Sequence, residues 1–434
     1  MQHIDIIQES LDYIEDNLKA AFDAKELAER AGYSLFHYYR LFRKTVGMPV
    51  VQYITKRKLL HAVYDIAQGA KVTDVALVYG FDTKSGFHKA FVREFGCSSS
   101  EYIAAHAIRP PYRIKLIDKE CIILTQKKIK EVLAQWNRQE EPITDFYYAG
   151  TDRRSQSEWN IGENAVLRAS TNAARLEKHI KISKALVEYG FGASQPIPTV
   201  DGKDYYSYGE LCFCLETKVI GTPVKSGLLY QGGGEITAAY VGELIGQLDL
   251  VLAKFNREFV GNAPNMLTQL KNYAIPKVKK VMPLPESFYN DYLLEFAELY
   301  SHLPVQLIHR NPCLGSFFLC GDMLSGVCDF ELSEENLRIF DPCYAATSVL
   351  SENFTDESLD RMKWFDIYRD IIAGYDRVAK LSAPEKQAIP YVVFGIQMIC
   401  IAYFSGSEKY KELADINIAM LEWLIKNKEQ LAVM

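Results

Sequence analysis

Two sets of polar residues in this 434-residue chain have types and spacings that could do chemistry. The first is basic and helical in its spacing: His37, Arg40, Arg43 and Lys44, then Lys84, Ser85, His88, Lys89 and Arg93. Cationic and hydrogen-bonding side chains gathered on one helix face suit a nucleic acid, whose phosphates set affinity and register and whose base edges set sequence preference. By position, His37, Arg40, Lys84, Ser85 and His88 are placed for base edges, and Arg43, Lys44, Lys89 and Arg93 for phosphates. The second set lies between Pro304 and Pro342 and contains His309-Arg310-Asn311, Gly315-Ser316, Cys328-Asp329-Phe330-Glu331 and Asp341-Pro342. There His309 reads as a hydrogen-bonding scaffold residue. Asp329, on a turn after an apolar run, is either a local cap or a ligand position.

The elements that must hold the basic set repeat. Ala28, Gly32, Phe42 and Gly47 recur as Ala76, Gly80, Phe91 and Gly96, an offset of 48 or 49 residues, and Leu27 with Ala28 is matched by Leu77 with Ala76. Such an offset marks a duplicated supersecondary unit. Each copy reads as a helix, a turn on Gly32 or Gly80, and a second helix with apolar residues inward and basic residues outward, the layout of a helix-turn-helix. A first helix runs over 4–18, and Asp23 caps the next ahead of Glu26. Ser34 to Val46 is the first reading helix, burying Leu35, Tyr38 or Tyr39, Leu41 and Phe42. A linking helix spans about Val50 to Gln68. The second unit starts near Thr73 or Asp74, and its reading helix is capped at Asp82. Phe42, Phe87, Phe91 and Phe95 belong to the core.

The stretch Gly80-Phe81, Phe87, Phe91, Phe95-Gly96-Cys97-Ser98 and Tyr102 resembles the signature of AraC/XylS-type transcription regulators, as do Met48-Pro49 and Tyr53 after the first unit. Ser99 stands where that signature usually has proline. The resemblance covers residues 5 to 105 and implies a double helix-turn-helix with double-stranded DNA as its partner. Residues 1 to 108 are near neutral, so the net charge of -6 belongs to the rest of the chain. DNA binding must therefore rest on a local basic face.

After Ala107 the pattern changes. Arg109-Pro110-Pro111-Tyr112 is a stiff hinge, and Ile114 to Leu124 alternates like a strand. Tyr147 to Ser170 reads as two strands around a loop with Gly150 and Gly162, residues 172 to 189 as a helix, and Leu211 to Val219 as another strand. Strands first and long helices later describe an α+β arrangement. The passage from Pro304 to Pro342 resembles the catalytic region of the aminoglycoside phosphotransferase and choline kinase family, which shares the protein-kinase-like fold. That resemblance implies a small sheet lobe over 113–222 and a helical lobe over 223–434, after an all-α domain over 1–108 and a hinge over 109–112.

Carried over residue by residue, the resemblance puts His309 at the family's catalytic-loop histidine, Asn311 where its catalytic aspartate belongs, and Ser316 where its magnesium-binding asparagine belongs. Asp329 matches the aspartate that holds magnesium, Arg168 the basic residue of the third strand, and Glu177 its partner on the helix. ATP or GTP with magnesium is the implied cofactor if nucleotide binding is retained. Asn311 is a serious departure, because an amide has no basic lone pair to accept the acceptor hydroxyl's proton. Ser316 brings one weaker oxygen in place of an amide carbonyl. Leu248-Asp249 stands where the family often has Leu-His.

Composition fits a soluble globular protein. No uninterrupted apolar run approaches the roughly 18 residues of a membrane span, no secretory signal is visible, and Cys212, Cys214, Cys320 and Cys328 sit in apolar runs like reduced core thiols. These features lead to a cytoplasmic DNA-binding regulator whose catalytically impaired kinase-like domain senses a small-molecule effector or nucleotide bound between its lobes and signals through the hinge. An active phosphotransferase with an appended DNA-binding domain is the first alternative, and a kinase-like dimerisation scaffold the second. Two readers let one chain span two grooves, and a homodimer on direct repeats stays open.

Overall fold

The computed structural model describes residues 2–105, 108, 110–111, 114, 124, 126–147, 154–209, 211–231, 237–255, 265–406 and 410–432. Arg109 and Tyr112 of the expected hinge, nearly all of the expected strand over Ile114 to Leu124, and Gly150 lie outside them. The chain divides into two compact units.

The first unit opens with seven helices: α1 (Gln2–Asp16), α2 (Ala24–Arg30), α3 (Leu35–Val46), α4 (Val50–Ala67), α5 (Val72–Val78), α6 (Lys84–Phe95) and α7 (Ser99–Ala105). The repeat seen in sequence is also a repeat of geometry. Gly32 (φ 72°) and Gly80 (φ 80°) turn the chain through the left-handed region, which glycine enters without steric cost. Past each, the next amide closes back on the helix, Tyr33 to the Ala28 carbonyl at 3.0 Å and Phe81 to the Ala76 carbonyl at 2.9 Å. Both reading helices end on a left-handed glycine, Gly47 and Gly96, the common helix stop. Inside, Tyr38 meets Phe42 and Phe87 meets Phe91, both at 5.8 Å between centroids. Phe42 then meets Tyr53 at 5.7 Å and Phe91 meets Tyr102 at 5.6 Å.

The second copy has one more residue between its glycine and its second helix, and it differs from expectation at three places, of which that residue explains the first. The reading helix α6 is capped by Thr83, whose hydroxyl accepts from the Gly86 amide at 3.0 Å, not by Asp82. Counting back across the glycine, Val75 occupies the place of Leu27 in the core, and Leu77 is exposed. Helix α5 begins at Val72, ahead of Thr73. In the first copy Tyr38 is the buried tyrosine, while Leu35, one residue into α3, is exposed.

The same unit continues through α8 (Gln126–Leu133) and the strands β1 (Ile143–Tyr147), β2 (Arg154–Ile161) and β3 (Ala165–Ser170), three strands where the sequence suggested two. Helix α9 (Ala173–Glu188) opens the second unit. Strands β4 (Tyr206–Tyr208) and β5 (Leu211–Thr217) complete a five-stranded sheet of order β1-β2-β3-β5-β4. β4 and the first residues of β5 belong to the first unit, and the rest of β5 and everything after it to the second.

There follow β6 (Thr222–Pro223), α10 (Leu228–Gln231), α11 (Ala238–Leu252), α12 (Met266–Gln269), α13 (Ile275–Val281) and α14 (Glu286–Tyr300). Next come β7 (Val305–Ile308), β8 (Phe317–Cys320), β9 (Met323–Val327) and β10 (Glu334–Leu337). The chain closes with α15 (Phe340–Asn353), α16 (Trp364–Val378), α17 (Ala383–Phe404) and α18 (Lys411–Lys426). β8 pairs with β6 and β9, and β7 with β10, so two short antiparallel sheets frame the loop around Asn311. Helices α11 and α16 touch backbone to backbone: a Cβ at Gly242 or at Gly374 would run into the opposite helix's main chain. That approach carries Asp249, at the end of α11, to the Tyr375 hydroxyl at 2.8 Å.

Helix α17 is long and apolar enough to cross a membrane. Yet 61% of its most apolar window is buried within the protein, where it packs against α13, α14, α15 and α18 as a core helix. Cys212 and Cys214 are buried in β5, as expected of core thiols, Cys328 is half-buried, and Cys320 is exposed at the end of β8.

Candidate functional sites

All nine residues of the basic set are exposed: His37, Arg40, Arg43 and Lys44 on α3, and Lys84, Ser85, His88, Lys89 and Arg93 on α6. The buried residues of the two helices are Tyr38, Phe42 and Val46 on α3 and Phe87 and Phe91 on α6, none of them in the basic set. The helices are held from behind through α4. Arg57, buried in α4, grips Glu15 of α1 with two hydrogen bonds of 2.5 and 2.9 Å, and His61 adds a third interaction at 3.2 Å. Burial opposes the Glu15 charge, but the bonds from His61 and Arg57 outweigh it and hold the carboxyl below its ordinary range. Lys56 of α4 pairs with Glu94 of α6 at 3.1 Å. The linking helix is thus tied by charge to α1 on one side and to the second reader on the other.

In the second unit, the loop after β7 is fixed from its backbone. The Asp341 carboxylate accepts from the His309 amide at 2.7 Å and the Arg310 amide at 2.9 Å. Arg310 has a φ of 74°, a strained value for a residue with a Cβ. Its guanidinium is spent on Glu334 (2.5 Å), Gln269 (3.0 Å) and the face of Phe340 (3.9 Å to the centroid).

His309 is fully buried. Its Nδ1 accepts from the Asn311 amide at 3.3 Å, and its Nε2 lies 3.0 Å from the Cys328 carbonyl. A ring nitrogen that accepts leaves the proton to the other, so Nε2 donates to Cys328. Burial keeps the imidazole neutral by lowering its pKa, against the pull of Asp329. Asn311 is half-buried, and its side-chain amide points at Asp329 Oδ2, 3.4 Å away. Asp329 is itself left-handed, with a φ of 73°. Ser316 is buried, with its hydroxyl 3.3 Å from Cys313 Sγ and its carbonyl accepting from the Cys328 amide.

Beneath the loop, Asp341 meets a second carboxyl, Asp249. Burial, and then the charge of Asp341, push Asp249 well above the carboxylate range. Burial also lifts Asp341, to about 7, although the two amides it holds pull the other way.

Residues 27–105 match the family model of a helix-turn-helix domain. Over 98 residues the chain is 39% identical to the HTH-type transcriptional activator AarP of Providencia stuartii, a match covering 22% of this chain and 73% of that protein. The chain belongs to the AraC-type transcription regulators. Among other AraC-type relatives, the multiple antibiotic resistance protein MarA of Salmonella typhimurium is 33% identical over 101 residues, 22% of this chain and 76% of MarA. The transcriptional regulator Rob of the same organism is 29% identical over 156 residues, 34% of this chain and 54% of Rob.

The rest of the chain has the fold of small-molecule kinases. The structure of aminoglycoside 2'-phosphotransferase-IIIa with GDP matches 70% of this chain and 98% of its own, at 16% identity and a TM-score of 0.50. Amicoumacin kinase hAmiN matches 68% of this chain and 92% of its own, at 13% identity and a TM-score of 0.51. This AraC-type regulator therefore joins a DNA-binding domain to a kinase-like domain with a small sheet and a helical lobe.

Within that frame His309, Asn311 and Asp329 are brought together. Ser316 lies in the same loop, turned to Cys313. Arg168 is buried in β3 and pairs at 2.8 Å with Glu158, its cross-strand neighbour in the β2–β3 register, and Glu177 is half-buried on α9.

Several residues escaped the sequence reading. Phe36 is 74% exposed on the reading face of α3, with Arg40 at 6.0 Å from its ring. From such a position an apolar ring can meet a thymine methyl. Three consecutive aromatic or imidazole positions in 36–38 hid which one pointed out. His179 and Glu216 are buried partners 37 residues apart, and only the fold brings them together.

Proposed function

We propose that the kinase-like domain of this regulator binds a nucleotide with magnesium, or a small-molecule effector, as a signal and does not transfer phosphate. Asn311 carries the reading. It occupies the place of the general base, and its amide is a donor toward Asp329, where transfer would need an acceptor for the hydroxyl's proton. An aspartate there would set two carboxylates side by side, whereas the amide can donate to the one that remains.

The residues fit magnesium only as an ion shared with phosphates. Among the described residues no group of three or more His, Cys, Asp or Glu could cage a metal. Magnesium, however, commonly takes one or two carboxylates and completes its shell with water and substrate phosphates. Asp329 would hold it, and the ion would neutralise phosphate charge. The related folds support the ligand class, since hAmiN was solved with AMP-PNP and Ca2+ and the 2'-phosphotransferase with GDP.

A thermal-shift series on the full chain tests the proposal, using ATP and GTP with and without magnesium, then aminoglycosides, sugars and amino alcohols. Stabilisation should grow with ligand concentration. No phosphate should reach any acceptor over hours. The opposite reading, an active phosphotransferase, is favoured by two observations: Asp341 fixes the loop backbone, and Asp329 holds a left-handed turn. Detected transfer would establish it. A melting point unmoved by every ligand would leave the domain as a scaffold.

A further inference from the structure

Asp329 holds a left-handed backbone conformation that is strained for a residue with a Cβ, and such residues persist where neighbours over-determine them. The two peptide groups flanking it are each held by a buried imidazole. Ahead of it, the Cys328 carbonyl accepts from His309. Behind it, the Phe330 amide donates to His179 Nδ1 at 3.1 Å. Both rings are fully buried, and the Phe330 ring lies near each, at 4.9 Å from His309 and 6.0 Å from His179.

The two brackets are anchored differently. His309 belongs to the same loop as Asn311 and hangs on Asp341. His179 comes from α9. Because its Nδ1 accepts from Phe330, its proton sits on Nε2, which donates to Glu216 Oε1 on β5 at 2.5 Å. The preceding residue of the helix, Lys178, donates to the Ser333 carbonyl, at the far end of the same turn. Helix α9 thus grips the segment that carries Asp329 at two points. A shift of α9 would strip the Phe330 amide of its acceptor, and a buried donor left without one is destabilising.

We propose that His179, aimed by Glu216, is a positioning residue for Asp329: it makes α9 and the Asp329 backbone one element, so that metal–nucleotide binding and the position of α9 are coupled. The proposal rests on the nucleotide reading above. Coupling of this kind is reciprocal, so whatever fixes α9 also raises metal–nucleotide affinity. His179 touches no ligand; it acts through the Phe330 amide.

The test is the affinity of the full chain for ATP, with and without magnesium, in three proteins. His179→Asn keeps an acceptor where Nδ1 stood. His179→Gln directs its amide toward Glu216 and leaves Phe330 without an acceptor. Wild type and His179→Asn should show the same gain in ATP affinity on adding magnesium. His179→Gln, with an unchanged circular dichroism spectrum, should lose about tenfold or more of that gain, the usual cost of an outer-shell partner, while its magnesium-free affinity stays within a factor of two.

A general structural defect would lower both affinities together, and that result overturns the proposal. So does an undiminished magnesium gain in His179→Gln. If His179→Gln does not fold, Glu216→Ala, which lets the ring swing away, must show the same selective loss. Failure of wild type to bind ATP in either condition refutes the nucleotide reading and this proposal with it. Binding by wild type with no effect of the variants refutes the proposal alone.

Discussion

The reading helices and the loop around Asn311 place their functional residues in opposite ways. On α3 and α6 every residue offered to DNA is exposed, and the framework of Tyr38, Phe42, Phe87, Phe91 and the Arg57–Glu15 pair lies behind it. In the loop, His309 and Ser316 are buried, Asn311 and Asp329 are half-buried, and the His309 ring shapes the backbone on both sides of the residues that would meet a ligand, at Asn311 and at Cys328. Function and stability are separable in the first region and joined in the second. A substitution on the reading face need not disturb the fold, whereas one in the loop disturbs its neighbours, as Asn311 would through Asp329.

The largest effect should come from Asp341→Ala, which attacks the joined region. It removes the acceptor of one buried and one half-buried amide, each worth up to about 1–3 kcal/mol when left unsatisfied. Urea or thermal unfolding of the full chain should show a loss of about 2–6 kcal/mol in the transition of the kinase-like domain. DNA affinity at low temperature should be untouched. A loss under about 1 kcal/mol would mean that Arg310, through Glu334 and Gln269, holds the loop by itself.

The separable region predicts the reverse pattern at smaller size. Lys84→Ala with His88→Ala should lower the preference for specific over random duplex by about 1–3 kcal/mol for each base-edge hydrogen-bonding partner removed. Arg43→Ala with Lys89→Ala should weaken all sequences alike and reduce the slope of log affinity against log salt by about one for each phosphate released. Neither pair should move the melting transition by more than about 0.5 kcal/mol. A clear drop in stability for either pair would show that the reading face also supports the fold.

The difference between the regions also governs what the sequence reveals. The helix-turn-helix pair was legible because its determinants are local. Helical periodicity, the Ser34 and Asp23 caps and the glycine turns act within a few residues of themselves. Even there, one extra residue in the second turn moved the cap from Asp82 to Thr83, and in the helix before that turn Val75, not Leu77, fills the core. In the kinase-like domain the order of motifs was legible, but their partners were not. His179 finds Glu216 and Phe330, and Asp249 finds Tyr375, across 37, 151 and 126 residues of chain, distances over which periodicity carries no information. Glu158 opposite Arg168 could have been found, since it follows from the β2–β3 register, but reading two strands where there are three concealed that register.

The smallest effect, and the finest test of joined function and stability, concerns Asp249. Asp249 and Asp341 are buried together, with Tyr375 donating to Asp249 and Arg338, itself paired with Glu385, near enough to favour charge on both tyrosine and acid. Both carboxyls have folded values raised above those of the unfolded chain. Their stabilising contribution is therefore complete below about pH 4, the unfolded carboxylate range. It is lost as the pH rises through the folded values, with Asp341 titrating at about 7. Asp341 already accepts two amides that favour its ionised form, so the proton belongs on Asp249. Asp249→Asn supplies a permanent neutral partner that can still donate to Asp341. It should leave the melting temperature near pH 5 almost unchanged and raise it relative to wild type at pH 8, so the difference between the two proteins should grow between pH 5 and 8. A constant offset across that range would mean that no proton is held between the two acids, and that the loop above them is insensitive to pH from this side.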